Sequence, residues 1–424
     1  MNSLKKYSIL WISQSISQLG SAMTAYALVL WAYTQTHSAF SISLMSFCEY
    51  LPYIFVSIFV GSFIDNHSKK AIMLISDSIA ALMSLMIFCF QMTGTFSIWH
   101  IYVVNIVVGI TTAFQQPASL IAIERIVPEN KLSTVSGMNS LTENAVLLLS
   151  PVFATALFTA GGLWSILLFD LISFAVAFVV LFLFIQIPEY PEKHEETSSY
   201  AGIKTGVRFL RKEKGILYTI FMMSLINFLS RITYQNILSP MILARSSDNT
   251  VVLGIVNVCM GVGGVLGGLF ITFGKEYKKK VNMIYLSTAL SFLLGDCIMA
   301  IGNNVYFWSF AAFAASFPIP FIVAGQTVIL YKKVPKDIQG RVFAVRNAIQ
   351  YGTIPLGIIL GGYLADYVFE PLIHSTNKFV AVLQNIVGSN AGSGMALMFL
   401  CTGILGFSVS VTSLFNKEIQ KLND

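Results

Sequence analysis

Two glutamates stand where a charge is costly: Glu49 in SLMSFCEYLPYIF and Glu143 in SLTENAVLLLSP, each flanked by long apolar sequence. A charged side chain at the centre of a bilayer costs roughly 2.5–3.5 kcal/mol on insertion scales, so one that is kept there needs a function or a partner. A carboxyl group facing a water-accessible cavity in such surroundings can load and release a proton, and Glu49 and Glu143 are the candidates for that chemistry. Pro52, shortly after Glu49, allows the chain to bend toward a cavity, and Asn139, four residues before Glu143, shares its helical face. The alternative for each glutamate is a carboxyl hydrogen-bonded for packing or paired with Arg231. Arg231 itself lies in an apolar run one turn after Asn227 and could equally hold an anionic group of a ligand or act as a counter-ion. Asp170 reads as shallower in its apolar run, and Asp77 and Asp296 as close to opposite surfaces.

Amides form a second set. Gln14 and Gln18 are four residues apart and point from one helical face; Asn105 stands in another apolar run. They could bind a ligand, or they could be interhelical hydrogen bonds worth about 0.6 kcal/mol each. Other chemistries find no support. The five histidines show no pair at metal-ligand spacing on one helix, and the five cysteines, all in apolar runs, read as packing residues, so no metal is expected. The GVGGVLGG run at 261–268 lacks the Lys-Ser/Thr of a phosphate loop and reads as helix packing. With no nucleophile, metal or cofactor constellation, the chain does not read as an enzyme.

The elements that must carry these residues follow from the solvent. Of 424 residues 55% are hydrophobic and only 11% charged, and the mean hydropathy is +0.73, outside the range of a water-soluble chain of this length. Apolar runs near 8–33, 40–64, 71–92, 98–121, 135–160 and 163–186, then 215–243, 251–273, 281–301, 305–331, 341–366 and 391–415, predict an all-α integral membrane protein with twelve spans in two sets of six. The stretch 367–390 is an amphipathic interruption before the last span. At about 1.5 Å per residue, Glu49 and Glu143 lie near mid-membrane. The first run is too long for a signal-peptide core and has no small-residue cleavage pattern, so it is expected to be retained.

Cations set the orientation, because short cytoplasmic loops retain Lys and Arg. With the N-terminus inside, only Arg245 and Lys378 of the 26 Lys and Arg fall on the other side, and Arg231 lies within a span. Both termini are therefore expected in the cytoplasm. The net charge of +6 is this loop bias and implies anionic lipid rather than nucleic acid as its partner. The polar stretch from Pro188 to Lys214 divides the spans evenly, giving an N-terminal half 1–187, a cytoplasmic linker 188–214 and a C-terminal half 215–424. Ile203, Val207, Phe209 and Leu210 among basic residues give the linker's second part the pattern of a helix lying on a membrane surface.

The halves repeat. Gly61 and Phe63-Ile64 match Gly268 and Phe270-Ile271, and at the same offset Val127-Pro128 and Val135 match Val334-Pro335 and Val342. Both matches fall at corresponding loops, as parallel repeats related by an axis along the membrane normal require, with a site expected between them at the midplane.

The segment GSFIDNHSKKAIML at 61–74 resembles the cytoplasmic loop signature of the major facilitator superfamily, Gly-x-Leu-x-Asp-Arg-x-Gly-Arg-Lys, through Gly61, Asp65, Lys69 and Lys70; Asn66 and Ser68 depart from it. The strings AFQQPA (113–118), Ser150-Pro151, VPKDIQGRV (334–342) and LADYVFEPL (364–372) are similar to the drug:proton antiporter branch that holds macrolide-efflux proteins and exporters of siderophores and peptide antibiotics. The resemblance implies a cytoplasmic gate at Gly61, Asp65, Lys69 and Lys70, and a helix kinked at Pro151. Where that branch carries an Arg a turn before a Gly, this chain has Asn105 before Gly109. The Gly pair that usually follows Gly-Pro is here Val-Phe-Ala-Thr-Ala after Ser150-Pro151, which removes the close packing such a pair permits.

Together these readings lead to the expectation of a monomeric, proton-coupled exporter of a small amphipathic molecule. It would need no cofactor beyond the proton gradient, and Gln14, Gln18, Asn105, Asn139, Asn227 and Arg231 would offer contacts to the cargo. An uptake symporter or facilitator, or a membrane sensor or lipid-handling protein that keeps the fold, stands beside it; sequence at this level does not name cargo.

Overall fold

The computed structural model describes residues 3–128, 132–188, 199–273, 278–335, 338–375 and 378–423. Every regular element among them is helical, as lipid requires of an open chain, since only a helix satisfies its backbone N–H and C=O groups within one segment. Ten stretches among the described residues, from Ala39–Ser57 to Ser393–Phe415, are long and apolar enough to cross a bilayer. Each coincides with one of the twelve expected spans. The other two expectations fall on α1 (Ser3–Thr36) and α5 (Leu132–Gly161), which are long enough but interleave Ser, Thr, Gln and Asn among their apolar residues.

The chain divides into two compact units, one of Met1–His37 with Leu44–His194 and one of Ser38–Ser43 with Glu195–Asp424. In the first, α1 is joined by α2 (Ala39–Asn66), α3 (Lys69–Thr93), α4 (Ile98–Ile126), α5 and α6 (Leu163–Val179), the last continuing as a π-helical turn to Phe184. Ser68 caps α3 by accepting from the Ala71 N–H, and Gly94, at φ 71°, closes its far end in the left-handed region. Helix α1 packs on α5 and α6, and α3 on α4 and α6.

Two apolar clusters form at different levels of this unit. One gathers Met23, Ala27, Ile87, Ile101, Ile166 and Leu167; the other gathers Leu10, Ile64, Ile72, Ala118, Ala122 and Leu181. Both draw on α1, α3, α4 and the α6 segment. In lipid such side chains gain no removal from water by burial, so close packing holds the clusters together. Between the two levels these helices carry Gln14, Gln18, Asp77, Ser84, Asn105, Gln115 and Asp170 among apolar residues.

The second unit contains α7 (Ser199–Lys212), α8 (Lys214–Thr233), α9 (Leu238–Arg245), α10 (Thr250–Phe273), α11 (Lys280–Leu290), α12 (Cys297–Ile301), α13 (Val305–Ser316), α14 (Ile319–Lys333), α15 (Gln339–Tyr351), α16 (Ile354–Leu364), α17 (Glu370–Ile373), α18 (Lys378–Val387), α19 (Ser393–Phe415) and α20 (Lys417–Gln420). Expected spans at 215–243, 305–331 and 341–366 are each broken, at 234–237, 317–318 and 352–353. The helices that follow the latter two breaks start with Pro318 as N-cap and with Pro355 one residue in, where a residue without an N–H leaves no helical hydrogen bond unmade. The GVGGVLGG run packs helices as expected: a side chain at Gly263 or Gly267 would collide with the backbone oxygens of Phe313 or Phe317.

The amphipathic α7 behaves differently from its expected role on a membrane surface. Leu210 is fully buried in a cluster with Ile216, Leu330, Val342 and Val345, so part of its apolar face covers protein, chiefly α15.

Candidate functional site

Between the two apolar levels of the first unit lies a cavity of about 350 Å³. Its lining includes three carboxylates, Glu49, Asp77 and Asp170, and the amides of Gln14, Gln18, Asn105 and Gln115, and among the described residues no Lys, Arg or His. Leu28, Ile87, Val108 and Phe174 supply apolar wall.

Each carboxylate is held in its own way. Asp170, on α6, is buried and accepts from three hydroxyls: Ser21 Oγ at 3.0 Å, Thr24 Oγ1 at 3.2 Å and Ser84 Oγ at 2.8 Å. One side chain thus ties α6 to α1 and α3 with no cation among these partners. Asp77, on α3, accepts from Gln14 Nε2 of α1 at 3.4 Å and from Gln115 Nε2 of α4. Glu49 is positioned through its backbone. Asn105 Nδ2 donates to the Met45 carbonyl at 2.9 Å, and Gly109, one turn along α4, lies so close that a Cβ there would collide with the Glu49 carbonyl oxygen. Carboxylates amid hydroxyls and amides, with no fixed positive charge among the described lining residues, can exchange protons or receive a cationic group, and the apolar wall suits an amphipathic body.

Of the residues singled out from sequence, the structure brings Gln14, Gln18, Glu49 and Asn105 to one cavity. Asn139 is elsewhere: it accepts from Tyr7 Oη at 2.8 Å and joins α5 to α1. Arg231 and Asn227 belong to α8 of the second unit, where Arg231 donates to Gln235 Oε1 one turn away and Asn227 is half-buried. Lys70 donates to the carbonyls of Phe182 at 2.9 Å and Ile185 at 2.7 Å, a cation at the C-terminal end of the α6 segment; Lys69 is buried. Pro151 is buried inside α5. The side chains of Glu143 and Asp65, and Gly61, lie outside the described residues.

Asp77 and Asp170 are the residues that counting inward from span ends undervalued. Depth along the span marks Asp77 as near a surface and Asp170 as shallow; what it does not show is that both share the cavity with Glu49. A signal was present in the spacing. Gln14, Gln18, Ser21 and Ala25 recur at helical intervals on α1, and Asp77 and Ser84 at seven on α3, so polar or small side chains mark the faces turned to the cavity.

Known proteins resemble the whole chain. It is 25% identical over 374 residues to macrolide efflux protein A of Streptococcus pyogenes, a match covering 86% of this chain and 90% of that one. It is 23% identical over 358 residues to the staphyloferrin A transporter of Staphylococcus aureus, covering 82% and 86%. Among solved structures, a bacterial homologue of the iron transporter ferroportin in its inward-facing state superposes with a TM-score of 0.70 at 11% identity, over 97% of this chain and 99% of that one, which is likeness of fold alone. The model of the Major Facilitator Superfamily matches residues 10–358, and the chain belongs to that family as a multi-pass membrane transporter of small molecules, not an enzyme.

Proposed function

We propose that the protein exports a small amphipathic molecule, of the class of antibiotics, siderophores or peptide natural products, in exchange for protons. The observation that carries this reading is the cavity of the first unit, where three carboxylates meet apolar wall and, among the described residues, no Lys, Arg or His contributes to the lining. The similarity to macrolide efflux protein A supports the direction and the cargo class. Counting α1 and α5 with the ten apolar stretches gives twelve spans, two sets of six, and an even number keeps both termini on the cytoplasmic side, where the cations of the loops belong.

In this mechanism Glu49 or Glu143 takes up a proton from outside, and the protonated and ionised forms favour different states of two alternating halves. The monomer suffices for this cycle. Asp77 and Asp170, held by amides and hydroxyls, line the cavity that receives cargo and proton in turn.

The test is flux in everted membrane vesicles under an imposed pH gradient. With the lumen acidified, a macrolide or a lipophilic dye should accumulate inside and should be released when the gradient is collapsed. Accumulation under the reversed gradient would assign the protein to uptake. Absence of flux under either gradient, with the protein inserted, would assign it to sensing or lipid handling.

A further inference from the structure

Helix α18 belongs neither to the span Val345–Ile373 nor to the span Ser393–Phe415 but to the chain between them. On a helical wheel its apolar residues Val382, Ile386, Phe379, Leu383, Val387 and Val380 fill one continuous arc, and Lys378, Ala381, Gln384 and Asn385 fill the rest. The protein covers only one edge of the apolar arc. Val380 and Val387 are each 1% exposed, whereas Phe379 is 66%, Val382 58% and Ile386 45% exposed.

The helix is fixed at its buried edge. Gln384 Nε2 donates to the Ile373 carbonyl at 2.7 Å, and Arg245 Nη2 donates to the Val387 carbonyl at 3.0 Å. Gly388, at φ 86°, then turns the chain toward α19. The open apolar edge is therefore held in one orientation.

We propose that α18 is an in-plane membrane helix whose Phe379, Val382 and Ile386 embed in the headgroup–acyl boundary of the leaflet on the face opposite the C-terminus, with Lys378, Ala381 and Asn385 turned to water. Lipid is the occupant because of covalent continuity. One flanking segment leaves the bilayer at Ile373 and the next enters at Ser393, so a ten-residue helix between them is confined to the membrane surface. The flanking spans likewise expose apolar side chains, at Val368, Leu372, Ile404 and Leu405. Amphipathic helices at such a boundary insert their apolar face about 5–10 Å deep, within reach of these three side chains. The placement depends on neither the cargo nor the coupling ion.

The experiment is site-directed spin labelling in vesicles of phosphatidylethanolamine and phosphatidylglycerol. Single cysteines replace Phe379, Ala381, Val382, Asn385 and Ile386 in a chain whose five native cysteines are changed to alanine. Nitroxides at 379, 382 and 386 should relax several-fold more strongly with oxygen than with a water-soluble nickel chelate, and those at 381 and 385 should show the reverse. Equal nickel access at all five positions overturns the proposal by placing the whole helix in water. Exclusion of both reagents at 382 and 386, with dipolar broadening between copies, overturns it in favour of a contact between two copies of the chain. Should removal of the cysteines prevent folding, Val382→Trp in the native background reads the same question: its added emission is quenched by lipid brominated near the headgroup if the proposal holds, and by no brominated lipid if it fails.

Discussion

Asn105 donates to the Met45 carbonyl, and one turn along the same helix Gly109 rests against the carbonyl of Glu49. The two contacts repeat at the spacing of one helical turn on both α4 and α2, so α4 acts as a template for the segment that presents Glu49 to the cavity. Asn105 occupies a place where the resemblance leads one to look for Arg. Its amide brings no charge there and instead supplies a second hydrogen bond to a carbonyl of α2, which does not require a counter-ion within lipid.

Gly109→Val is accordingly expected to disrupt more than Asn105→Ala. The valine must displace the α2 backbone, whereas the alanine forfeits one hydrogen bond, a loss of about 1 kcal/mol. Thermal denaturation in detergent should show a small drop for Asn105→Ala and a much larger one for Gly109→Val. Equal transitions for both variants would show that the close approach does not constrain Glu49.

Asp170 and its hydroxyl partners give a sharper case. Removing the carboxylate by Asp170→Ala leaves Ser21, Thr24 and Ser84 without their acceptor, at a cost of about 1–3 kcal/mol for a buried group left unsatisfied. Asp170→Asn keeps an acceptor oxygen and the shape but sets an NH₂ against at least one hydroxyl, so its loss should be intermediate. Ser84→Ala should cost least, because the carboxylate keeps its two partners from α1. The order Ala below Asn below Ser84→Ala in thermal transition temperature is the check.

The difference between what was legible in the sequence and what was not lies in direction. Ten of the expected spans and the packing role of the 261–268 glycines follow from length and polarity along the chain. The partnership of Gln14 with Asp77, or of Ser21 with Asp170, depends on which faces of α1, α3, α4 and α6 meet, and depth alone carries no azimuth. Depth says nothing of Asp77's neighbours: the face it occupies on α3 brings it to the cavity with Glu49 and Asp170. Asn139 shows the converse. It shares a face with Glu143 in the sequence, but its amide oxygen is taken by Tyr7, a contact between helices separated by more than a hundred residues. In α7 the amphipathic pattern was plain, and the identity of the surface it covers was not, since protein and membrane offer the same apolar chemistry.

Lys70 predicts a local effect. Its ammonium ends the α6 segment by donating to the carbonyls of Phe182 and Ile185, groups that no helical N–H satisfies. Lys70→Met removes both donors and should cost about 1.5–3 kcal/mol, the range for hydrogen bonds to a charged group. The measurement is amide hydrogen exchange over 180–188, which should quicken while exchange in α3 beyond its first turn stays as in the wild type. Unchanged exchange at 180–188 would show that solvent or lipid headgroups replace the lysine at no cost.

Glu49→Gln and Glu143→Gln test the coupling itself. Glutamine preserves size and can still donate or accept a hydrogen bond, so both variants should insert and give wild-type yields from the membrane. It cannot change charge with pH, and the free energy of the gradient reaches the protein only through a group that is ionised in one state and protonated in another. At least one of the two substitutions should therefore abolish pH-driven efflux from intact cells and uptake by everted vesicles, while downhill counterflow of cargo continues, since exchange of cargo for cargo needs no net proton movement. Glu49, which lines the cavity beside Asp77 and Asp170, is expected to be the more sensitive. If Glu49→Gln and Glu143→Gln each sustain full pH-driven transport, the proton passes through Asp77 or Asp170, and the loss should then appear in Asp77→Asn or Asp170→Asn under the same gradient.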